Sequence, residues 1–262
     1  HCRQDYFEMI SFLGELRNRN ESLFLFGLVC LGLALLFLTL SKFTTTQVHG
    51  VNAWNKPLKF ALSVVLYAWA MAWYCHYLSD FNVKPFNWAV VTLLGFEIAY
   101  IAFQASKGQL SHFNVSTSLH STLYTLMGVA AALVTIYTAY IGLRFFTQSF
   151  PSLPYHYVWA IRLGILIFVV FAFEGFLMGS RMNHSVGALN DNSSWFVVGW
   201  SKTVGDLRVS HFVGMHALQA LPILSYYVFK TTRATVLISF VYALLAILTL
   251  VQALQGKPLF RQ

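Results

Sequence analysis

The chain has 262 residues, of which 57% are hydrophobic and only 10% are Asp, Glu, Lys or Arg, against about 25% charged in an ordinary soluble domain. With a mean hydropathy of +0.61, so few charges cannot cover a water-soluble surface, and the solvent for most of this one is lipid. The net charge of +8 excludes little beyond nucleic acid as a partner, because the basic residues stand singly or in pairs beside apolar runs, with no basic stripe and no nucleic-acid motif.

Residues 1–20 are too polar for the apolar core of a signal peptide. Phe7, Ile10, Leu13 and Gly14 share one helical face, with Asp5, Glu8, Glu15 and Arg19 largely elsewhere, which predicts an interfacial helix ahead of the first span. A span needs about 20 mostly apolar residues, and candidate runs follow at 23–41, 58–78, 88–105, 119–142, 157–179, 211–229 and 235–254. The expected fold is therefore all-α, a single polytopic transmembrane domain over 1–262 of about seven helices. No repeat, low-complexity tract or soluble domain interrupts it, and Cys2, Cys30 and Cys75 form no CxxC pattern or disulfide framework.

The connections 79–87, 143–156 and 230–234 are short, the first two punctuated by Pro85, Pro151 and Pro154. The other three, 42–57, 106–118 and 180–210, carry most of the polar motifs. With seven spans these three lie on one side, the motif face, which puts Asn52 and Ser194 on the same side. Assigning each Lys and Arg to its nearer face gives eight (Arg3, Arg17, Arg19, Lys84, Arg144, Arg162, Lys230, Arg233) against nine on the motif face, too even for the positive-inside rule. Arg17 and Arg19, directly before the first span, favour a cytoplasmic N-terminus and an external motif face in a bacterial inner membrane.

An ionisable group inside a span is costly and usually faces protein. Glu97 lies within the third span, and Tyr100, Gln104 and Lys107 follow on the same helical stripe. The stripe rises roughly 15 Å from Glu97 to Lys107. Its functional reading is a proton path or a metal ligand. The bland alternative is a protonated acid that holds helices together. Glu174 in the fifth span is followed by Met178 and Arg181 on its own face, and Gly175 allows a helix or a flat ligand to come close. Buried carboxyls need a proton, a metal or a cation.

The segment Asp206–Gln219 opens the sixth span. Arg208, His211, His216 and Gln219 fall within an arc of about 140°, and Pro222 strands the carbonyl of Leu218 and predicts a kink. Asp206 suits an N-cap or a partner for Arg208. His112 lies in the turn that follows Gln104, and His120 about one turn into the fourth span. The 180–210 loop adds Arg181, Asn183, His184, Asn190, Asp191, Asn192, Trp195, Trp200 and Lys202, read either as a lid or as an ordinary interfacial loop. Around the second span, Pro57 fits the first position of a helix, and Lys56 and Lys59 suit lipid phosphates or an anionic substrate. His49 precedes them. His76 and His156 fall toward the opposite face, and His1 is terminal.

The strings 104–114, 174–187 and 205–222, together with 51–60, resemble a family of uncharacterised bacterial multi-pass membrane proteins. The resemblance covers most of the chain and implies a polytopic fold without implying an activity. Residues 189–196 are poorer in glycine and proline than that family's loop. The chain lacks the lysine of a retinal protein in its last span, and the HxxxH and HxxHH clusters of membrane desaturases.

His112, His120, His184, His211 and His216, with Glu97 and Glu174, are the residue types that bind a transition metal such as iron, copper or zinc. The leading expectation is a membrane oxidoreductase acting on a quinone, a small gas or a lipid. It would hold either a haem or one or two bare metal ions. For a haem, His120, His211 and His216 are the axial candidates, Gln104 a further contact, and Gly128, Gly175 and Gly214 leave room for the ring. Glu97, Glu174, Arg208 and Gln219 would act on substrate or protons. A proton-coupled transporter of a small, anionic solute uses the same carboxylates as proton carriers. A zinc-dependent lipid hydrolase is a further alternative, although the His211–His216 spacing matches no zinc motif. A purely structural subunit explains the hydrophobicity but not the clustering. The bilayer is the expected partner, and oligomeric state is not legible.

Overall fold

The computed structural model describes residues 2–48, 50–187, 195 and 198–260, with 2–10 as backbone alone. His1, His49, Asn190, Asp191, Asn192 and Ser194 of the sequence reading lie outside the described residues. Helices dominate: α1 (Cys2–Arg19), α2 (Glu21–Phe43), α3 (Asn55–Cys75), α4 (Val83–Ser106), α5 (Ser118–Thr147), α6 (Tyr155–Arg181), α7 (Leu207–Met215), α8 (Ala217–Tyr227) and α9 (Thr232–Leu254). Among the described residues two short antiparallel strand pairs, β1 (Gln47–Val48) with β2 (Val51–Asn52) and β3 (Ser185–Val186) with β4 (Gly205–Asp206), sit in the long connections.

Each predicted span has a helix, and most helices run a few residues beyond the apolar stretch because a polar cap, not the last apolar residue, ends them. Asn20, Asn82, Thr117, Asp206 and Thr231 each accept a hydrogen bond from a first-turn N–H of the helix they precede. Pro57 lies in the first turn of α3, two residues later than expected, since α3 opens at Asn55. Six helices (α2, α3, α4, α5, α6 and α9) are long and apolar enough to cross a bilayer, and no more than half of each apolar window is buried within the protein. Their remaining surface is apolar, which is what a lipid environment requires. The sixth predicted span is instead the pair α7 and α8.

The chain forms two compact units, His1–His112 and Phe113–Gln262. In the first, α2 packs along α3, and α1 and α4 pack on the same pair. Gly27 receives the Trp69 ring, whose Nε1 donates to the Phe24 carbonyl at 3.3 Å. Asn20 and Asn87 exchange two amide hydrogen bonds of 2.9 Å inside the core. Arg19 lies over the Trp73 ring at 3.8 Å and is tied to Glu15.

In the second unit α6 is central and packs against α5, α7, α8 and α9. Ile167, Phe171, Ala217, Leu221 and Ala246 form its core. Small residues bring the backbones together, as helices in lipid require. A side chain at Gly164 would meet the Ala217 carbonyl at 2.9 Å, and one at Gly205 or Gly214 would overlap the Ala253 carbonyl or the Phe171 ring.

Candidate functional site at a broken helix

The helix that opens at Leu207 stops at Met215, and α8 begins at Ala217. His216 between them has φ −76° and ψ −3°, and its carbonyl accepts from both Gln219 N and Ala220 N. Pro222 lies two turns into this region and removes the N–H that would pair with the Leu218 carbonyl. The expected interruption is present, but it falls at His216, one and a half turns ahead of the proline. Tyr242 of α9 donates to the Val213 carbonyl at 2.7 Å, at the end of α7 where helix carbonyls lose their partners.

Against α7 lies the carboxyl of Glu174, on α6, with its side chain only 6% exposed. Ser210 Oγ donates to Glu174 Oε1 at 3.2 Å and to the Leu207 carbonyl at 2.9 Å. One hydroxyl proton serves these two acceptors. His211 Nδ1 is 2.7 Å from the Phe171 carbonyl and 3.3 Å from Glu174 Oε2. A carbonyl only accepts, so Nδ1 carries the proton and gives it to Phe171. That leaves Oε2 without a hydrogen-bond donor among the described residues, and leaves the lone pair of a neutral imidazole on Nε2. The His211 ring rests on Gly175, where an added Cβ would lie 2.8 Å from its Cε1.

The sequence reading gave Gly175 and Gly214 to a flat ligand. Both faces are filled by protein, Gly175 by the His211 ring and Gly214 by Phe171, and the Phe176 ring lies 3.9 Å from a Cβ built on Gly128. Phe212 links the site to the long loop: its ring is 4.3 Å from that of His216 and 5.6 Å from that of Trp200. Gln219 lies one turn past His216.

Arg208 is engaged locally. Its Nε and Nη2 donate to the two carboxylate oxygens of Asp206 at 2.9 and 2.6 Å, and Nη2 also reaches the Gly199 carbonyl. Asp206 additionally caps α7 through Arg208 N and accepts from Ser201 N. Burial alone would push the Asp206 carboxyl up, but the Arg208 guanidinium, the Ser201 N–H and nearby His184 hold it below the ordinary range. The expectation that Asp206 caps the helix and pairs with Arg208 is met on both counts. His184 stands beside this group, and its carbonyl accepts from Leu207 N.

His120 stands apart from these contacts. Ser116 Oγ gives its proton to Asn114 Oδ1 at 2.7 Å, so the 3.0 Å contact with His120 Nδ1 requires the imidazole to donate. His120, like His211, therefore presents Nε2 as a lone pair.

Glu97, Gln104 and His112 belong to the first unit. Glu97 is 4% exposed and its Oε1 has no hydrogen-bond partner among the described residues. The Gln104 amide donates to Tyr100 Oη at 3.2 Å and to the Leu110 carbonyl at 3.0 Å. His112 contacts Ser111 Oγ through Nδ1. Burial, and then the charge of Lys56, hold its imidazole well below the usual histidine range. Among the described residues no three His, Cys, Asp or Glu side chains gather as a ligand set for a metal ion.

Two polar groups escaped the sequence reading. Ser210 is one, with no signal beyond its place before His211. The other joins α6, α8 and α9. His156 Nδ1 lies 2.9 Å from Ser225 Oγ, which lies 2.9 Å from Thr235 Oγ1, which donates to the Phe229 carbonyl. With the Thr235 proton committed to Phe229, Ser225 donates to Thr235 and His156 donates to Ser225. The histidine is not a base for that serine, and the group is a clasp, not a nucleophile.

No protein-family model, curated protein or solved structure matches this chain.

Proposed function

We propose that this chain is a seven-span membrane protein, with α1 at the interface, that couples proton binding at Glu174 and His211 to the passage of a small solute. The supporting observation is a carboxyl buried against a broken helix with fewer donors than acceptors around it. Ser210 brings one proton to two acceptors, and Oε2 faces an imidazole whose only proton is committed to Phe171. A proton on Glu174 supplies the missing donor. A proton on His211 Nε2 balances the ionised carboxylate instead. One proton can thus be held on either of two residues in contact, beside a helix interruption of the kind found at transporter sites. Arg208, already paired with Asp206, serves in this reading to anchor the loop to α7.

The test is a titration of the purified protein together with proton-coupled currents in proteoliposomes across a panel of small anions and neutral solutes. Glu174→Gln should remove one titrating proton and abolish pH-driven current while the protein remains folded. An unchanged titration in that variant refutes the assignment.

A second reading, the haem- or metal-dependent oxidoreductase, is favoured by one feature. His120 and His211 each donate through Nδ1 to a neighbouring acceptor, the arrangement by which a protein orients imidazoles that bind a metal through Nε2. These two would be the axial candidates for a haem, while a bare ion needs a fuller donor set. Metal analysis and an optical spectrum of protein prepared without chelators decide it. Near-stoichiometric iron with a haem spectrum, lost in His211→Ala, replaces the transport reading. A metal-free protein removes the redox reading.

A further inference from the structure

The second buried carboxyl lies in the other unit and raises a separate question. Glu97, Tyr100 and Gln104 occupy successive turns of one side of α4, and all three are buried. Side chains on a helix lean toward its N-terminus. The Tyr100 ring accordingly stacks on Phe96 at 6.4 Å, and Gln104 leans back to Tyr100. Gln104 Nε2 donates to Tyr100 Oη, so the phenol accepts on its Gln104 side and its own proton is left for another acceptor. Glu97 Oε1 and Gln104 Oε1 have no hydrogen-bond partner among the described residues. Leaving such atoms bare in an apolar interior costs about 1–3 kcal/mol each, and buried water usually bridges groups of this kind.

We propose that Glu97, Tyr100 and Gln104 form a proton-exchanging ladder completed by internal water, with Glu97 as its proton-bearing end. The ladder spans roughly 10 Å of α4 and ends at the turn where Gln104 also binds the Leu110 carbonyl. The transfer moves a proton and nothing else. An internal water gives one to the Glu97 carboxylate and takes the Tyr100 phenol proton in return, while a second water, beside Gln104 Oε1, reprotonates the phenol and is itself restored from solvent. Gln104 positions the phenol and carries no proton itself. The inference goes beyond the transport reading and does not depend on Glu174.

The test is infrared spectroscopy of the full-length protein in detergent during exchange from H2O to D2O. Wild type should show a protonated carboxyl band that Glu97→Gln removes and Glu174→Gln leaves in place. Tyr100→Phe should shift that band and slow its deuterium exchange about tenfold or more, because exchange must then wait for local opening of the helix packing. Phe103→Leu, on the same helix, should change neither. A spectrum with no band sensitive to Glu97→Gln overturns the proposal. So does a Tyr100→Phe protein whose band position and exchange match wild type.

Discussion

Asp206 holds three groups of the loop and helix around it. Its carboxylate caps α7, pairs with Arg208 and holds Ser201 N. Replacing it with Ala should destabilise the protein by about 1–3 kcal/mol, since a cap and a charge-assisted pair are lost together. The carboxyl is held below its ordinary value of 3.8, so the folded state binds its proton less readily than the unfolded chain. Its contribution is whole above that ordinary value and is lost as pH falls below it. Melting in detergent from pH 7 to 3 should show an acid-labile component in wild type that Asp206→Asn lacks. Equal acid sensitivity in the two proteins would contradict the linkage. This pair was legible in the sequence because capping is local: a residue of the right type stands next to an apolar run. The bond from Ser210 to Glu174 was not, because nothing in a sequence tells which helix face meets another thirty-six positions earlier.

At the scale of elements, the contacts of α6 with α7 and α8 decide whether the site exists. A side chain at Gly214 would overlap the Phe171 ring, which belongs to the core of the unit. Gly214→Ala should therefore cost about 1–3 kcal/mol by overpacking, and adding Phe171→Ala should not relieve it, because the Phe171 Cβ that alanine keeps also overlaps the added carbon. Gly32→Ala in α2, where nothing lies within 4 Å of the added carbon, should be neutral or mildly stabilising. Thermal stability and detergent-resistant monodispersity of the three variants measure this. A Gly214→Ala protein as stable as Gly32→Ala would mean that α6 and α7 are farther apart than described. The spans themselves were readable from the sequence because lipid imposes a length and a polarity on every crossing helix. The break at His216 was placed too close to Pro222, because a proline marks where a helix loses a bond and packing decides where the chain bends.

At the scale of the whole molecule the open choice is between six crossings and seven. Among the described residues six helices are long and apolar enough to cross. The nine- and eleven-residue pieces α7 and α8, joined through His216, rise about 30 Å if continuous, which is one hydrocarbon thickness. If they cross, the β1–β2 hairpin and the loop before α7 face one side, and the short α8–α9 connection faces the other. If they dip in and return, that connection lies on the same side as the loop before α7. Charge does not choose, since eight basic residues stand against nine. Single cysteines at Val51, Lys202 and Lys230, in a background without Cys2, Cys30 and Cys75, separate the cases by labelling from each side of sealed vesicles. The seven-span arrangement requires Val51 and Lys202 to label together and Lys230 to label from the opposite side. Joint labelling of Lys202 and Lys230 would make α7 and α8 a re-entrant pair. His211 would then lie on a segment that returns to the face it came from, packed against Glu174 of α6, and a path through the membrane would need a different wall.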